Sequence, residues 1–230
     1  MTKRKIQYWV IPPEANSEFV ANMEDVLETY ARPYDAAFPV VCMDEQPVQL
    51  LKETRIPIPA SKDHARRVDY EYERAGTACI FMFAEPLSGW RHVSVRPHRT
   101  KVDWALEMEE LLRTRFGQAQ QVTLVCDNLN THTKGAFYEV FTPEKARSIL
   151  QRLAFCYTPK HGSWLNIAEN ELSSLTRQCL SRRIPSLKML REETAAWASS
   201  CNSKQRGVDW QFTTEDARHK LKSLYPKTIV

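Results

Sequence analysis

Three acidic residues stand where their side chains could do chemistry. Asp127 follows the apolar run Val122–Cys126 directly, and a polar cluster comes next: Asn128, Asn130, Thr131, His132 and Thr133. Asp44 follows a second apolar run, Val40–Met43, and Glu169 comes later in the chain. Carboxylates are ligands for Mg²⁺, and two such ions can activate a nucleophile and stabilise the leaving oxygen of a phosphoryl transfer. The three acids therefore predict a divalent-cation site for that chemistry.

The two aspartates are expected at the ends of buried strands. A continuous apolar run with no polar alternation is typical of a strand that is buried on both faces of a mixed sheet. Each aspartate is then the last residue of its strand, and ligands in open α/β sheets collect at the carboxyl ends of the strands. The alternative is that Asp44 and Asp127 are turn formers that end their strands. That alternative explains one such acid more easily than two in the same arrangement.

Glu169 belongs to a predicted helix that starts near Ser163, after a loop around Pro159 and Gly162. Apolar residues recur there at spacings of three and four, which indicates a face turned to the core: Leu165, Ala168, Leu172, Leu175 and Cys179. Glu169 lies at one border of this stripe, and Glu171 lies about 160° away at the other, at 3.6 residues per turn. Glu169 is expected nearer the buried edge. The spacing separates the two acids and leaves open which of them is functional.

The rest of the chain reads as an α/β protein. Hydrophobic periodicity predicts helices over residues 14–31, 100–116, 134–140, 143–153 and 186–200. Further strands are expected over 48–51, 67–73, 78–83, 90–95 and 155–157. The first four of them are expected to form a β-meander after the strand that precedes Asp44. The pattern predicts a mixed β-sheet flanked by helices.

Composition excludes several classes of protein. Hydrophobic residues make up 43% and charged residues 26%, as in ordinary globular proteins. No window approaches the ~18 uninterrupted apolar residues of a membrane span. The basic N-terminus is not followed by an apolar signal segment, so a cytoplasmic location is expected. The six cysteines and six histidines form no CxxC or HExxH motif, which argues against zinc.

Positive charge is concentrated in the second half of the chain. The net charge is +4, and residues 145–191 hold nine Lys or Arg against Glu169 and Glu171 alone. A polyanionic partner would explain this excess. A solvated helix surface explains it equally well, because Lys and Arg are common on helix exteriors.

Three sequence motifs resemble one known family. They are VVCMDEQPVQLL around Asp44, VCDNLNTH around Asp127, and YTPKHGSWLNIAENELSSLTRQCLSRRIP around Glu169. Together they resemble the DDE transposases of the mariner-like superfamily, in particular the bacterial insertion-sequence branch. The resemblance extends from Trp9 to Tyr225, and its last motif is the most specific.

The resemblance implies an RNase H-like fold and cut-and-paste transposition by DNA strand cleavage and strand transfer. Asp44, Asp127 and Glu169 become the catalytic residues and the ligands of Mg²⁺ or Mn²⁺, with two ions expected. The implied partners are transposon ends and target DNA, bound by a homodimer in the cytoplasm, on the nucleoid when DNA is bound. Side chains near the triad and on the following basic stretch are expected to contact DNA: Asn130, His132, Lys134, Lys160, His161, Trp164, Arg177, Arg182 and Arg183. For Trp164, a hydrophobic cap at the helix start is an equal alternative.

The resemblance also implies an order along the chain. Residues 1–38 form a helical lead-in, residues 39–200 the catalytic domain, and residues 201–230 a tail packed on it. Relatives begin with a helix-turn-helix domain that the resemblance does not cover here, so recognition of terminal repeats is not expected of this chain. An upstream helix-turn-helix polypeptide or a full-length transposase could supply it.

Two other functions stay open. The first is an inactive, truncated or domesticated remnant that binds DNA or a partner protein through its basic face. The second is a general RNase H-like nuclease, which the specificity of the third motif disfavours. The three intact acids favour the active enzyme over the remnant, whereas the lack of the N-terminal helix-turn-helix domain favours the remnant.

Overall fold

The computed structural model describes residues 14–227, which form seven α-helices and five strands. The helices are α1 (Ser17–Tyr30), α2 (Lys101–Thr114), α3 (Lys134–Val140), α4 (Pro143–Gln151), α5 (Ile167–Gln178), α6 (Leu187–Asn202) and α7 (Thr214–Lys220). The strands are β1 (Val40–Glu53), β2 (Tyr72–Glu85), β3 (Trp90–Arg96), β4 (Val122–Cys126) and β5 (Leu153–Tyr157). None of the described helices has the length and apolar character needed to span a bilayer.

The strands form one mixed sheet in the order β3-β2-β1-β4-β5. The pairs β1–β2 and β2–β3 are antiparallel, whereas β1–β4 and β4–β5 are parallel. The predicted mixed sheet flanked by helices is confirmed. Strand β4 lies between β1 and β5 and is buried along its whole length, as expected from its largely apolar sequence.

Strand β1 is longer than its sequence predicts. It continues through Asp44 and Pro47 as far as Glu53, so the prediction that Asp44 ends its strand is wrong. The reason is the partner on the other side, because β2 pairs with β1 along this whole extension. Pairing with β4 stops at Cys42, and a proline is tolerated where one edge of a strand is free. Of the predicted strand over 67–73, residues 67–71 are loop apart from one bridge between Ile58 and Arg67, and Tyr72 begins β2.

Each face of the sheet carries its own hydrophobic core. Helices α1, α5, α6 and α7 contribute to the first core, and α2, α3 and α4 contribute to the second. Helix α1 is part of the first core because its apolar stripe, Phe19, Met23, Val26 and Leu27, is fully buried. The C-terminal segment reaches the same core, where the rings of Trp210 and Tyr30 lie 5.3 Å apart. The predicted boundaries at residues 38 and 200 stay predictions.

Helix α5 begins later than its periodicity predicts. Residues Ser163–Leu165 form a separate 3₁₀ turn, and α5 starts at Ile167 because the Asn166 side chain caps it by accepting from the main-chain nitrogen of Ala168. The predicted apolar stripe is buried from Leu165 to Leu175, while Cys179 is half-buried at the end of the helix.

Candidate active site

The parallel register of β1 and β4 brings Asp44 and Asp127 together. Cys42 pairs with Val125, the last parallel pair of this ladder. Two residues further on, the same register places Asp44 beside Asp127, which follows the end of β4. Both side chains face the side of the sheet on which α1 and α5 pack. The pairing of these two acids therefore follows from the sheet alone.

Asn166 fixes the position of Glu169 relative to the sheet. Its side-chain amide donates to the main-chain carbonyl of Met43 at 2.9 Å, while its oxygen caps α5. One buried side chain thus joins the start of α5 to the residue before Asp44. Glu169 lies in the first turn of that helix, three residues after the cap. The Asn166-x-x-Glu169 spacing therefore delivers this acid to the aspartates.

Asp44, Asp127 and Glu169 line one open cavity of about 520 Å³. Other parts of its wall come from α1, from the loop after β4 and from the segment between β5 and α5: Glu18, Asn22, Asn128, Leu129, Tyr157, Thr158, Pro159, Lys160, His161, Ser163 and Asn166. The two acids of the sheet and the acid of the helix are the predicted triad, and the structure brings them to the same cavity.

Negative charge accumulates at this cavity. The pKa of Asp44 is raised to about 7, chiefly by burial. A hydrogen bond from the Glu45 main-chain nitrogen lowers it, and the charges of Asp127 and Glu169 add to the rise. Among the described residues, no hydrogen bond or ion pair reaches the Glu169 carboxylate. Asp44 and Glu169 thus face the cavity without an ion-pair partner among the described residues, whereas Asp127 contacts His132.

This donor set fits a hard divalent cation. The charges of Asp127 and Glu169 raise the pKa of Asp44, and an ion carrying two positive charges would offset this repulsion. Within residues 14–227, however, no three His, Cys, Asp or Glu side chains are already close enough to enclose an ion. The cavity is therefore an open site, and bound phosphate oxygens and water would have to complete the coordination of Mg²⁺.

His132 is buried behind Asp127, which contradicts the prediction that it contacts DNA. The side chain is 1% exposed and packs against Trp104, with ring centroids 5.3 Å apart. Its Nδ1 lies 2.8 Å from Asp127 Oδ1, and its Nε2 lies 3.0 Å from Glu45 Oε1. Burial would lower the pKa of His132, but the contacts with Asp127, Cys126 and Glu45 outweigh it and raise the pKa to about 12.

Trp164 packs into the protein in the manner of a helix cap. It lies against the first core, and its ring meets Phe212 edge-on at 6.0 Å. Of the two readings of its sequence position, this placement favours the hydrophobic cap over a surface for stacking a base.

Two arginines that were expected to contact DNA form ion pairs with other residues of the chain. The Arg183 guanidinium donates to the main-chain carbonyls of Asp69 and Glu71 and pairs with Glu53. It thereby holds the end of the loop between β1 and β2. Arg182 pairs with Glu193 on α6. Both arginines therefore have acidic partners within the chain. The alternative in which they need no DNA partner describes them better.

The other side chains that were expected to contact DNA are exposed. Lys160 and His161 stand at the mouth of the cavity, on a turn closed by a hydrogen bond from Gly162 N to Pro159 O at 2.8 Å. His161 has the left-handed backbone conformation, with φ +66°, and lines the cavity. Asn130, Lys134 and Arg177 are exposed elsewhere. Their contact with DNA stays a prediction.

Glu171 is more buried than Glu169, so the expected order of burial was wrong. Its carboxylate pairs with Arg91 of β3 at 2.7 Å. A hydrophobic pattern cannot reveal this, because Arg91 lies 80 positions earlier in the chain. The sequence also missed Glu18 and Asn22, which line the cavity. Their spacing of four residues on one face of α1 was the available signal.

The sequence was compared with known families and proteins. The family model described as DDE superfamily endonuclease matches residues 39–191. Among proteins of curated function, none matched the sequence.

Solved structures of the Mos1 mariner transposase share the fold. The Mos1 paired end complex with Mn matches with a TM-score of 0.54 at 16% identity, over 87% of this chain and 60% of the Mos1 chain. A pre-cleavage Mos1 transpososome matches with a TM-score of 0.60 at 14% identity, over 98% of this chain and 68% of that one. The chain thus spans about three fifths of the length of the first of these relatives. The likeness confirms the predicted RNase H-like fold.

Proposed function

Since this chain belongs to the DDE superfamily endonucleases, we propose that it is the catalytic domain of a transposase, which cleaves DNA strands and transfers them to a target. The observation that carries the proposal is the convergence of Asp44, Asp127 and Glu169 on one open cavity. Relatives of the same fold include a Mos1 strand transfer complex. The bacterial insertion-sequence branch and a cytoplasmic, nucleoid-associated location belong to this proposal too.

Asp44, Asp127 and Glu169 would hold the metal, as two Mg²⁺ or Mn²⁺ ions. When bound, the ions supply an activated water or 3′-hydroxyl and stabilise the leaving oxygen of an in-line displacement. The protein's part is to hold the three carboxylates in position and to leave one side of each facing the cavity. Asn166 performs this for Glu169, because it joins α5 to β1 next to Asp44.

The cavity mouth provides the first contacts for the DNA backbone. Lys160 and His161 are exposed there beside the carboxylates, and a basic side chain can neutralise a phosphate whose neighbour enters the site. Arg177 and Lys134 extend this surface. The solved Mos1 structures include paired end complexes of that protein, and a homodimer on transposon ends is our proposal for this chain.

A non-catalytic DNA-binding remnant is the second candidate. It would need a basic surface that is free to bind DNA. Among the described residues, Lys145, Arg182 and Arg183 are paired with Glu109, Glu193 and Glu53, so the basic segment offers less free charge than its sequence suggests. The cavity, in contrast, carries the carboxylates of Asp44 and Glu169, which have no ion-pair partner among the described residues and which a remnant does not require.

A nicking experiment separates the two candidates. Supercoiled plasmid incubated with the chain and Mn²⁺ or Mg²⁺ should be converted to the nicked form, and the break should carry a 3′-hydroxyl that a polymerase extends. Excess chelator should stop the reaction, because the attacking water is activated by the metal. Plasmid binding without nicking, with transposon-end DNA and both metals present, would favour the remnant. Full nicking in excess chelator would exclude the proposed mechanism.

A further inference from the structure

Glu45 and His132 form a buried pair directly behind the two aspartates. Glu45 follows Asp44 on β1, and successive side chains of a strand point to opposite faces, so Glu45 points into the core that lies under α2. His132 enters the same core from the loop after β4 and packs against Trp104. The distance from His132 Nε2 to Glu45 Oε1 is 3.0 Å, and the two side chains are 1% and 2% exposed.

This pair joins β1 to the β4 loop where the backbone no longer does so. The parallel ladder ends at Cys42 and Val125, two residues before the aspartates. Beyond that point, β1 and the chain after β4 have no main-chain hydrogen bonds to each other among the described residues. The contact between Glu45 and His132 spans the gap, one residue after Asp44 on one side and five residues after Asp127 on the other.

His132 also touches Asp127 itself. Its Nδ1 lies 2.8 Å from Asp127 Oδ1 and 3.1 Å from the carbonyl oxygen of the same residue. Asp127 Oδ1 is fully buried and accepts no hydrogen bond of good geometry, although the side chain as a whole is 40% exposed. The exposed part of the carboxylate is therefore the part turned away from His132. One oxygen is held from behind while the other faces the cavity.

The pair is costly to bury, which argues for a purpose beyond packing. Glu45 Oε2 is buried with no hydrogen-bond partner in the described structure. A charged pair in a core is often no more stabilising than apolar residues of the same size, because desolvation offsets the attraction. The sheet would therefore lose little if both positions were apolar. The two aspartates would lose the contact that fixes their separation.

We propose that Glu45 and His132 are positioning residues that set the separation of Asp44 and Asp127 and turn one Asp127 oxygen towards the metal site. The inference rests on the proposed function, since it assumes that these aspartates bind a divalent cation. Side chains that orient metal ligands from behind typically change metal affinity or activity 10–100-fold when they are replaced.

The test measures Mn²⁺ binding by the full chain, with a short DNA duplex present, through the loss of free Mn²⁺ signal in electron paramagnetic resonance. Glu45→Gln keeps the shape and one acceptor oxygen of Glu45, and His132→Asn keeps one donor. Each should weaken Mn²⁺ binding about 10-fold or more. The double variant should be hardly worse than either single variant, because both changes break the same contact.

Glu171→Gln is the matched control. Glu171 is also a buried carboxylate in an ion pair, with Arg91, but it lies on the far side of α5 from the cavity. This variant should lose stability without a change in Mn²⁺ affinity. If Glu45→Gln and His132→Asn bind Mn²⁺ within twofold of the unaltered chain, the inference is wrong while the proposed function stands. If the unaltered chain binds no Mn²⁺ and nicks no DNA, both fail together.

A measurement on the unaltered chain covers the case in which the variants do not fold. The ¹⁵N signals of the His132 ring should shift during a Mg²⁺ titration and saturate with metal binding, because the ring contacts a ligand oxygen. The ring signals of the distant, exposed His64 should stay constant. A His132 ring that stays unchanged at saturating Mg²⁺ would overturn the inference.

Discussion

Two glutamates on helix α5 stand two positions apart and have opposite environments. Glu171 is buried and bound to Arg91, whose guanidinium also donates to the carbonyls of Gly89 and Arg206. This network joins α5, β3 and the C-terminal segment. Glu169 faces the cavity and takes part in no ion pair or side-chain hydrogen bond among the described residues.

The contrast distinguishes a carboxylate that stabilises the fold through an ion pair from carboxylates that are available to bind a ligand. A buried charge whose partners are complete contributes to structure, whereas charges that repel one another destabilise the folded chain until something binds them. The cavity acids belong to the second kind, because Asp127 and Glu169 both raise the pKa of Asp44. Substitution should therefore damage activity at one set of acids and stability at the other.

The largest effect is expected at the cavity. Asp127→Asn or Glu169→Gln should reduce Mn²⁺-dependent plasmid nicking about a thousandfold or more, since several kcal/mol of transition-state stabilisation depend on the cation. Thermal unfolding without metal should show Glu169→Gln at least as stable as the unaltered chain, because this change removes a repulsive charge, whereas Asp127→Asn also loses the contact with His132. Residual nicking above a tenth of the original rate would break the assignment of that acid.

Glu171→Gln should give the reverse result. Leaving one charge of a buried pair without its partner typically costs 3–5 kcal/mol, and because Arg91 keeps two carbonyl acceptors we expect about 3 kcal/mol of lost unfolding free energy. Urea unfolding measures this loss. Nicking per folded molecule should stay the same. A variant that remains stable but no longer nicks DNA would show that Glu171 belongs to the active site.

Metal binding should increase the free energy of unfolding of the chain, because the cation offsets the repulsion between the cavity acids. At ten times its dissociation constant, a ligand that binds only the folded state adds about 1.4 kcal/mol. For a chain of this size, this corresponds to a rise of roughly 3–6 °C in the melting temperature on adding Mg²⁺. Glu171→Gln should keep this rise and Asp127→Asn should lose it. An equal rise in both variants would mean that the ion binds elsewhere.

The sequence predicted the parts of the site that depend on local patterns. The apolar run before Asp127 predicted a buried strand, and the 3,4 spacing around Glu169 predicted a helix with one buried face. Asn166 is a preferred cap residue, so the position of Glu169 in the first turn was within reach of sequence reasoning. These are features in which neighbours along the chain determine the structure.

The predictions that were wrong concern features that depend on partners far along the chain. Asp44 does not end its strand because β2, which starts at Tyr72, pairs with the extension. Charge counts could not distinguish Arg183, whose partner Glu53 lies 130 positions away, from the exposed Lys160. His132 contacts Glu45, which lies 87 positions earlier. The sequence therefore identified His132 as a residue near the site but could not show that it is buried.

The smallest effect is expected for two basic residues, which differ from each other as the two glutamates do. Lys160 is exposed at the cavity mouth, whereas Arg183 is engaged by Glu53 and by carbonyls of the β1–β2 loop. If Lys160 contacts a phosphate, Lys160→Ala should lower the slope of log affinity against log salt by about one unit and weaken binding to every duplex alike. Arg183→Ala should leave that slope unchanged, because its guanidinium is already bound.

Fluorescence anisotropy with a random duplex and a transposon-end duplex, at several salt concentrations, measures both slopes. The unaltered chain should hardly distinguish the two duplexes, since phosphate contacts carry no base information. A slope that changes with Arg183→Ala but not with Lys160→Ala would mean that DNA follows the β1–β2 loop instead of the cavity mouth.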